Sequence, residues 1–563
     1  MVLMAAALLP AGASATTFTW NVTSGVWGTG SNWAGGTAPV SNTAGTVLNF
    51  TNGTSGTPAE TSFTVDWQLA TDNSVTVAAN NTLTLTAAKT LQSLGAASVT
   101  NHGIIQSSST SGKIRGAGGT RINDGTIQAL SGGTLTLWDT GTITNTGGTI
   151  QAKSGGTVKF EGSDTISNGL LKSEAGGILL QDGTSNPGQS LTFTGVTVTN
   201  EGTFTNDQTT TSAASASTSL QTTLGTGTVF TNAVDATTQV RNTGSGTTSN
   251  ASVRGSLFNV NAGSTFTNAG TLLIQNDATR TGTLTGQTVI FTVASGATGF
   301  SNTGTIKVIA NTTATGATAA FTSAKSLTND GVVFIKGNAS SQWATFSVTG
   351  AGNDYTQSAG SGRRTVLEQG GALTIADQVL INGGTLGGTG TVNGATTIGS
   401  DATLVVAESL ASAGIAGAGV LAFNNTLTLA NDSEVKFGLG LNTAASGQIM
   451  LAGAANLSVG TNVMLTLSDL TAGNWVSGTT YRLFDLGSGS MDGANFVLNI
   501  VPAGWEGVMS SGAAGTDYLD LTLTAVANVP EPSSYAAVGG GLILLGAVCR
   551  RGRRVQADRL APV

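Results

Sequence analysis

The side chains that usually carry chemistry are few in this sequence, and their placement limits what they can do. The single histidine, His102, sits in the middle of Asn101-His102-Gly103. Later Asn-x-Gly triplets place Asp124, Thr146, Glu201, Ala269, Thr303 and Asp330 at that same middle position, so it reads as an exposed turn rather than a catalytic base. The single cysteine, Cys549, lies in an apolar run near the C-terminus, which excludes intramolecular disulfides and multi-cysteine metal sites. A polysaccharide hydrolase or lyase needs carboxylates gathered about one bond, or a metal-held base. The candidates are Asp124, Asp139, Glu161 and Asp164 in neighbouring segments, and Asp517 with Asp520 near the end. Glu161 and Asp164 are close enough in sequence to approach one another, yet turns are the usual home of solvated Asp and Glu. Calcium nonapeptides, EF-hands, P-loops and histidine-based zinc motifs do not occur. Trp138 and Trp343 fall in strand-like runs, where they serve either as platforms for sugar rings or as hydrophobic plugs. The expectation is a protein that is not an enzyme and holds no cofactor or metal.

The composition says what must position these groups. Glycine contributes 81 of 563 residues, proline only 8, and charged residues 9%, against a usual charged share of about 25%. With 39% apolar residues a core can still form. A chain rich in Thr, Val, Asn and Gly, and poor in Glu, Lys and Arg, disfavours helices and suits short strands with tight turns. Net charge is −7, and the last stretch from Val526 holds five arginines and two acids, so the remainder carries −10. Such a surface repels phosphate backbones, and no basic stripe is present, so nucleic acid is not an expected partner.

A short repeat organises the middle of the chain. Asn-x-Gly begins at Asn101, Asn123, Asn145, Asn200, Asn268, Asn302 and Asn329, the first three 22 residues apart, with Asn168-Gly169 read as a continuation. Short strands follow the glycines, as in Ile104-Ile105-Gln106 and Val332-Val333-Phe334-Ile335. A second element, Ser131-Gly132-Gly133-Thr134-Leu135-Thr136-Leu137, recurs at Ser154–Phe160 and, in altered form, at Gly371–Ile375. A unit of this size cannot bury its apolar face alone, so the units must stack. The predicted fold is all-β: a parallel β-helix, or β-solenoid, of irregular coils of about 22 residues, plus a C-terminal hydrophobic helix. Stacking places Asn over Asn, where side-chain amides can form a ladder. Fully coiled from Thr16 to Ala525, the chain gives about 23 coils and a rod of up to ~110 Å. Trp20, Trp27 and Trp33 are expected to cover the open N-terminal end, and Asn206–Thr223 reads as a Ser/Thr-rich insertion.

The two ends address the chain to a destination. Met1–Ala15 is an apolar stretch ending in Ala13-Ser14-Ala15, the pattern of a signal peptide with its cleavage site at Ala13 and Ala15. No basic residue precedes Lys89, so the natural start is expected further upstream. At the other end, Pro530-Glu531-Pro532 precedes an apolar run, Tyr535–Cys549, and the cluster Arg550, Arg551, Arg553 and Arg554. The run has 15 residues, short of the ~20 usual for a spanning helix, and the arginines favour a cytoplasmic end. These three parts in this order resemble the PEP-CTERM sorting signal over Val529–Arg554, with a nine-residue tail where family members usually stop sooner. The resemblance implies an exosortase-like processing enzyme as partner and a transient intermediate in the inner membrane of a Gram-negative bacterium. Delivery to the cell surface or extracellular matrix then follows, with exopolysaccharide or other surface proteins as candidate partners.

The strings Gly383–Val392, Leu427-Thr428-Leu429, Leu465-Thr466-Leu467 and Tyr481–Asp485, with Asn32-Trp33 near the start, resemble secreted β-strand repeats of the autotransporter-passenger kind. The Pro-Gly turn usual there is absent; Ala407-Glu408-Ser409-Leu410 occupies its place. The domain reading is therefore 1–15 signal peptide, 16–95 N-terminal β cap and first strands, 96–364 solenoid repeats with the insertion near 206–223, 365–525 C-terminal β-repeat region, and 526–563 sorting signal. The expected function is an exported, non-enzymatic surface or matrix structural protein. The alternatives are an adhesin or carbohydrate-binding surface module and, further off, a β-helix polysaccharide lyase or hydrolase.

Overall fold

Alternation of Thr with apolar residues builds the rod. Thr288–Val293 reads Thr-Val-Ile-Phe-Thr-Val and turns Val289, Phe291 and Val293 inward at 0% exposure. Because side chains in a strand alternate faces, the same pattern leaves Thr288, Ile290 and Thr292 on the outside. The computed structural model describes residues 16–526 except 42, 44–45, 52–58, 64–65, 71–72, 87, 117, 184–187, 210–218, 248–254, 282–286, 313–316, 339–342, 472, 493–495, 501–503 and 512–517. The predicted signal peptide, with Ala13 and Ala15, lies outside the described residues. So does the sorting segment, with Pro530, Glu531, Pro532, the Tyr535–Cys549 run, Arg550, Arg551, Arg553 and Arg554. Among the described residues no helix is long and apolar enough to cross a membrane.

The architecture is the predicted parallel β-helix. One coil lays down Gly141–Thr144, Thr149–Ala152 and Thr157–Glu161, and the next places Asp164–Ser167, Leu170–Ser173 and Ile178–Asp182 in parallel register upon them. These three positions continue as three stacked sheets, numbered 1 to 3 in that order. Sheet 3 runs from Trp67–Leu69 to Phe496–Ile500 with 17 strands. At ~4.8 Å per layer that is a rod of about 80 Å, shorter than the sequence-based bound. The reason is that the coils are not uniform. Successive coils are 22 residues apart at Asn101 and Asn123, 36 at Asn232 and Asn268, and 17 at Ile381 and Ile398. The longest coils carry extra chain at their corners. The shortest run sheets 1 and 2 together through single strands, Gly371–Ile381 and Thr391–Ile398, so that one corner disappears.

Asparagine ladders pin the corners, and the structure divides the single predicted series in two. Asn101 Nδ2 donates to Asn123 Oδ1 (2.6 Å) and Asn123 Nδ2 to Asn145 Oδ1 (2.5 Å), where sheet 1 turns into sheet 2. Asn168 does not extend this ladder through its side chain. It sits in a left-handed turn (φ 63) and its amide points outward to Thr146 Oγ1. The series resumes one corner later, where sheet 2 turns into sheet 3. Asn200, Asn232, Asn268, Asn302 and Asn329 donate one to the next at 2.7–2.8 Å, all at 1% exposure or less. Glycines beside the second ladder are sterically required. A Cβ on Gly304 would lie 2.1 Å from the Gly270 carbonyl oxygen, and one on Gly331 would lie 2.0 Å from that of Gly304.

The interior of the middle coils is a pair of aromatic columns. Phe258, Phe291, Phe321 and Phe346 stack along sheet 1 with ring planes within 10° of parallel, and Phe230, Phe266 and Phe300 stack along sheet 2. Tyr355 closes the column edge-on against Phe346, its hydroxyl bonded to Thr365 Oγ1.

Both described ends are covered. At the N-terminal end Trp20, Trp27 and Trp33 are each 1% exposed and pack on Phe50 and Trp67. At the other end the parallel order gives way to an antiparallel hairpin, Trp505–Ser511 with Tyr518–Ala525, laid against Thr479–Asp485. The Ser/Thr insertion expected near 206–223 is narrower than the sequence suggested. Thr203–Gln208 and Leu220–Leu224 are regular strands at its two ends, because Phe204, Asn206 and Leu224 have interior positions to fill.

Candidate binding face

The carboxylates weighed for a hydrolase or lyase are not gathered about a common point. His102 pairs with Asp124 at 2.6 Å on an exposed turn, each about two-fifths exposed, one coil apart at equivalent Asn-x-Gly positions. Glu161 faces outward on sheet 3 and is held by Lys159, which also reaches Asp182 at 3.2 Å. Asp164 begins the next strand on the other side of the corner and turns inward at 1% exposure. Asp520 is paired with Arg482 (3.0 Å), whose guanidinium lies 4.2 Å over the Tyr518 ring; Asp517 lies outside the described residues. Among the described residues no group of three or more His, Cys, Asp or Glu side chains is arranged to hold a metal.

Asp164 has a structural task with a pH signature. Its Oδ1 accepts both the backbone N–H and the hydroxyl of Thr140 at 2.7 Å, while Oδ2 has no hydrogen-bond partner among the described residues. Burial pushes its pKa up to about 7, with the Thr140 bonds opposing and the charges of Asp139 and Arg121 acting in opposite senses. The folded state therefore binds a proton that the unfolded chain has released between about pH 4 and pH 7. Stability from this group is greatest below the unfolded value and falls as pH rises through the window, by a few kcal/mol. Asp164→Asn is expected to flatten that slope, which urea midpoints at the two ends of the window measure.

A concave outer surface with mixed chemistry lies on sheet 3 near the capped end. Gln68, Gln92, Arg115 and Trp138 occupy equivalent positions on four successive coils. The Arg115 guanidinium carbon stands 4.0 Å from the Trp138 ring centroid and Lys113 Nζ stands 4.8 Å from it, a double cation–π contact. Asp66, whose carboxylate accepts the Thr90 N–H, and Thr90 itself complete a cleft of about 280 Å³. It adjoins a second, of about 420 Å³, that shares Gln92 and Arg115 and extends to Asp139 and Ser163. Trp138 is thus half-buried beneath two cations. Trp343, the other tryptophan read as either sugar platform or plug, stands 54% exposed at the start of a sheet 1 strand. Sequence reasoning found Trp138 but not its partners. Lys113-Ile114-Arg115 alternates as a strand, and Arg115 precedes Trp138 by 23 residues, one coil.

A second polar centre, also unforeseen, is buried at the loop that replaces the Pro-Gly turn. Glu408 Oε1 accepts from Arg364 Nε and Nη2 (3.1 and 2.8 Å), the Gly414 N–H (2.8 Å) and Thr385 Oγ1 (3.3 Å). The same arginine reaches the carbonyls of Ser409 and Leu410.

No protein-family model matches this chain, and no curated protein matches it. Among solved structures, the crystal structure of a TibC-catalysed hyper-glycosylated TibA fragment (residues 55–350) is similar over 74% of this chain and 100% of that one, at 13% identity and a TM-score of 0.18. The fold assignment rests on the parallel strand ladders themselves.

Proposed function

We propose that this protein is an exported, non-enzymatic β-solenoid that serves as a rigid surface or matrix component, sorted through a PEP-CTERM-like signal by an exosortase-like enzyme. The observation that carries the reading is how the rod uses its scarce polar groups. Asn and Gln side chains pair along the axis, several cations hold carboxylates of the next coil, as Lys153 holds Glu174, Lys172 holds Glu201 and Lys336 holds Glu368, and the carboxylates are spread rather than convergent. A framework of that kind specifies length and stiffness. The sorting residues Pro530–Pro532 and the Arg550–Arg554 cluster supply the route, through an inner-membrane intermediate to the cell surface or extracellular matrix.

The test is the intact mass and terminal peptides of the protein recovered from the surface, medium and membranes of its native host. Loss of residues through Ala15 and of everything beyond the Pro530-Glu531-Pro532 region is the expected result. A retained Arg550–Arg554 tail in the membrane fraction overturns the processing step. The second reading, an adhesin or carbohydrate-binding module, is favoured by one specific observation, the Lys113–Arg115–Trp138 cleft.

A further inference from the structure

We infer that the sheet 3 cleft near the capped end binds an acidic polysaccharide, with Arg115 and Lys113 taking a sugar carboxylate and Gln68, Thr90 and Gln92 taking its hydroxyls. This rests on the reading above only for where the ligand is met.

The charge pattern comes first. In a chain of net charge −7, Lys153, Lys159, Lys172, Arg241, Lys336, Arg363, Arg364, Lys436 and Arg482 all have a carboxylate within ion-pair distance. Lys89, Lys113, Arg115, Arg121, Lys307 and Lys325 have none among the described residues, and of these Lys113 and Arg115 share one site. Their close contact is the Trp138 ring, which holds both heads side by side over the cleft. A guanidinium fixed in this way is oriented in advance for two-point contact with a carboxylate, and the ammonium beside it adds a point charge.

Shape and lining select the rest of the ligand. The two adjoining clefts, which also hold one carboxylate each, Asp66 and Asp139, form a polar groove across consecutive coils, with the Gln68 and Gln92 amides one layer apart. Such a surface suits a chain of regularly spaced hydroxyls. It suits an acidic peptide poorly, because the strand carrying these cations, Gly112–Arg115, is already paired on both sides and offers no free edge. Two cations in an acidic protein are also too few to neutralise a nucleic acid backbone.

The experiment is calorimetric titration of the purified full chain at low salt with oligogalacturonate, with neutral galactan oligomers as control. Saturable binding of oligogalacturonate, weakened by added salt and absent for the galactan, is expected. Arg115→Gln, which keeps much of the stem over the ring, and Trp138→Ala are each expected to weaken it by about tenfold or more. Unchanged circular dichroism and urea midpoints establish that the variants are folded. No binding by the wild-type chain, undiminished binding by the R115Q/W138A double variant, or equally tight binding of poly-glutamate each overturns the proposal. Cleavage and fractionation in the host report on sorting alone, so failure of one reading is distinguishable from failure of the other.

Discussion

Glu408→Ala is expected to destabilise the protein by about 3–5 kcal/mol, because it leaves the Arg364 guanidinium buried without its counter-ion. The Glu408 side chain is fully buried, and one of its oxygens gathers the arginine, a threonine hydroxyl and the Gly414 N–H. Removing it frees the loop after Val406 as well as stranding the charge. Urea unfolding of the single variants Glu408→Ala and Arg364→Met and of the double variant measures this. The double variant is expected to lose less than the sum of the two, since it removes both charges together. A loss below about 1 kcal/mol for Glu408→Ala would count against a load on this pair.

Trp27→Ala is expected to cost about 3–5 kcal/mol and to convert a closed end into an adhesive one. Trp27 lies 4.7 Å from Trp67, 5.1 Å from Trp33 and 5.4 Å from Phe50, centroid to centroid, and its backbone carbonyl accepts the Trp33 indole N–H. Emptying that centre exposes the terminal coil, whose unpaired backbone then offers an edge to another rod. Light scattering at matched concentration is expected to show end-to-end association of the variant but not of the parent chain. A monomeric variant of unchanged stability would contradict a capping role for the cluster.

How much of this was legible beforehand follows from what repeats. The early coils announce themselves because Asn101, Asn123 and Asn145 keep a strict interval and glycines follow at fixed offsets. Beyond Asn168 the interval fails, although the stacking does not. Chain is added at corners before Asn232 and Asn268 and removed at Ile381, and backbone ladders tolerate both so long as the inward residues stay in register. The shift of the asparagine ladder from one corner to the next was hidden for the same reason, since Asn-x-Gly looks alike at either turn. The cleft was half visible. An aromatic residue stands out in a sequence, whereas the residue one coil below it is found only once the local period is known. Glu408 gave no warning, because a carboxylate in a turn ordinarily faces water.

The parallel stacking has a mechanical corollary. Strands lie across the rod and their hydrogen bonds run along it, so tension applied at the two ends acts directly on the ladders. Coils then peel away singly, each yielding its own contour length. The coil from Asn268 to Asn302 holds 34 residues and releases ~115 Å, while that from Asn101 to Asn123 holds 22 and releases ~75 Å. Stretched in an optical trap, the protein is expected to lengthen in steps of unequal size that follow the coil lengths. In that respect the rod is a graded tether, whose middle gives way in longer strides than the region next to the tryptophan cap.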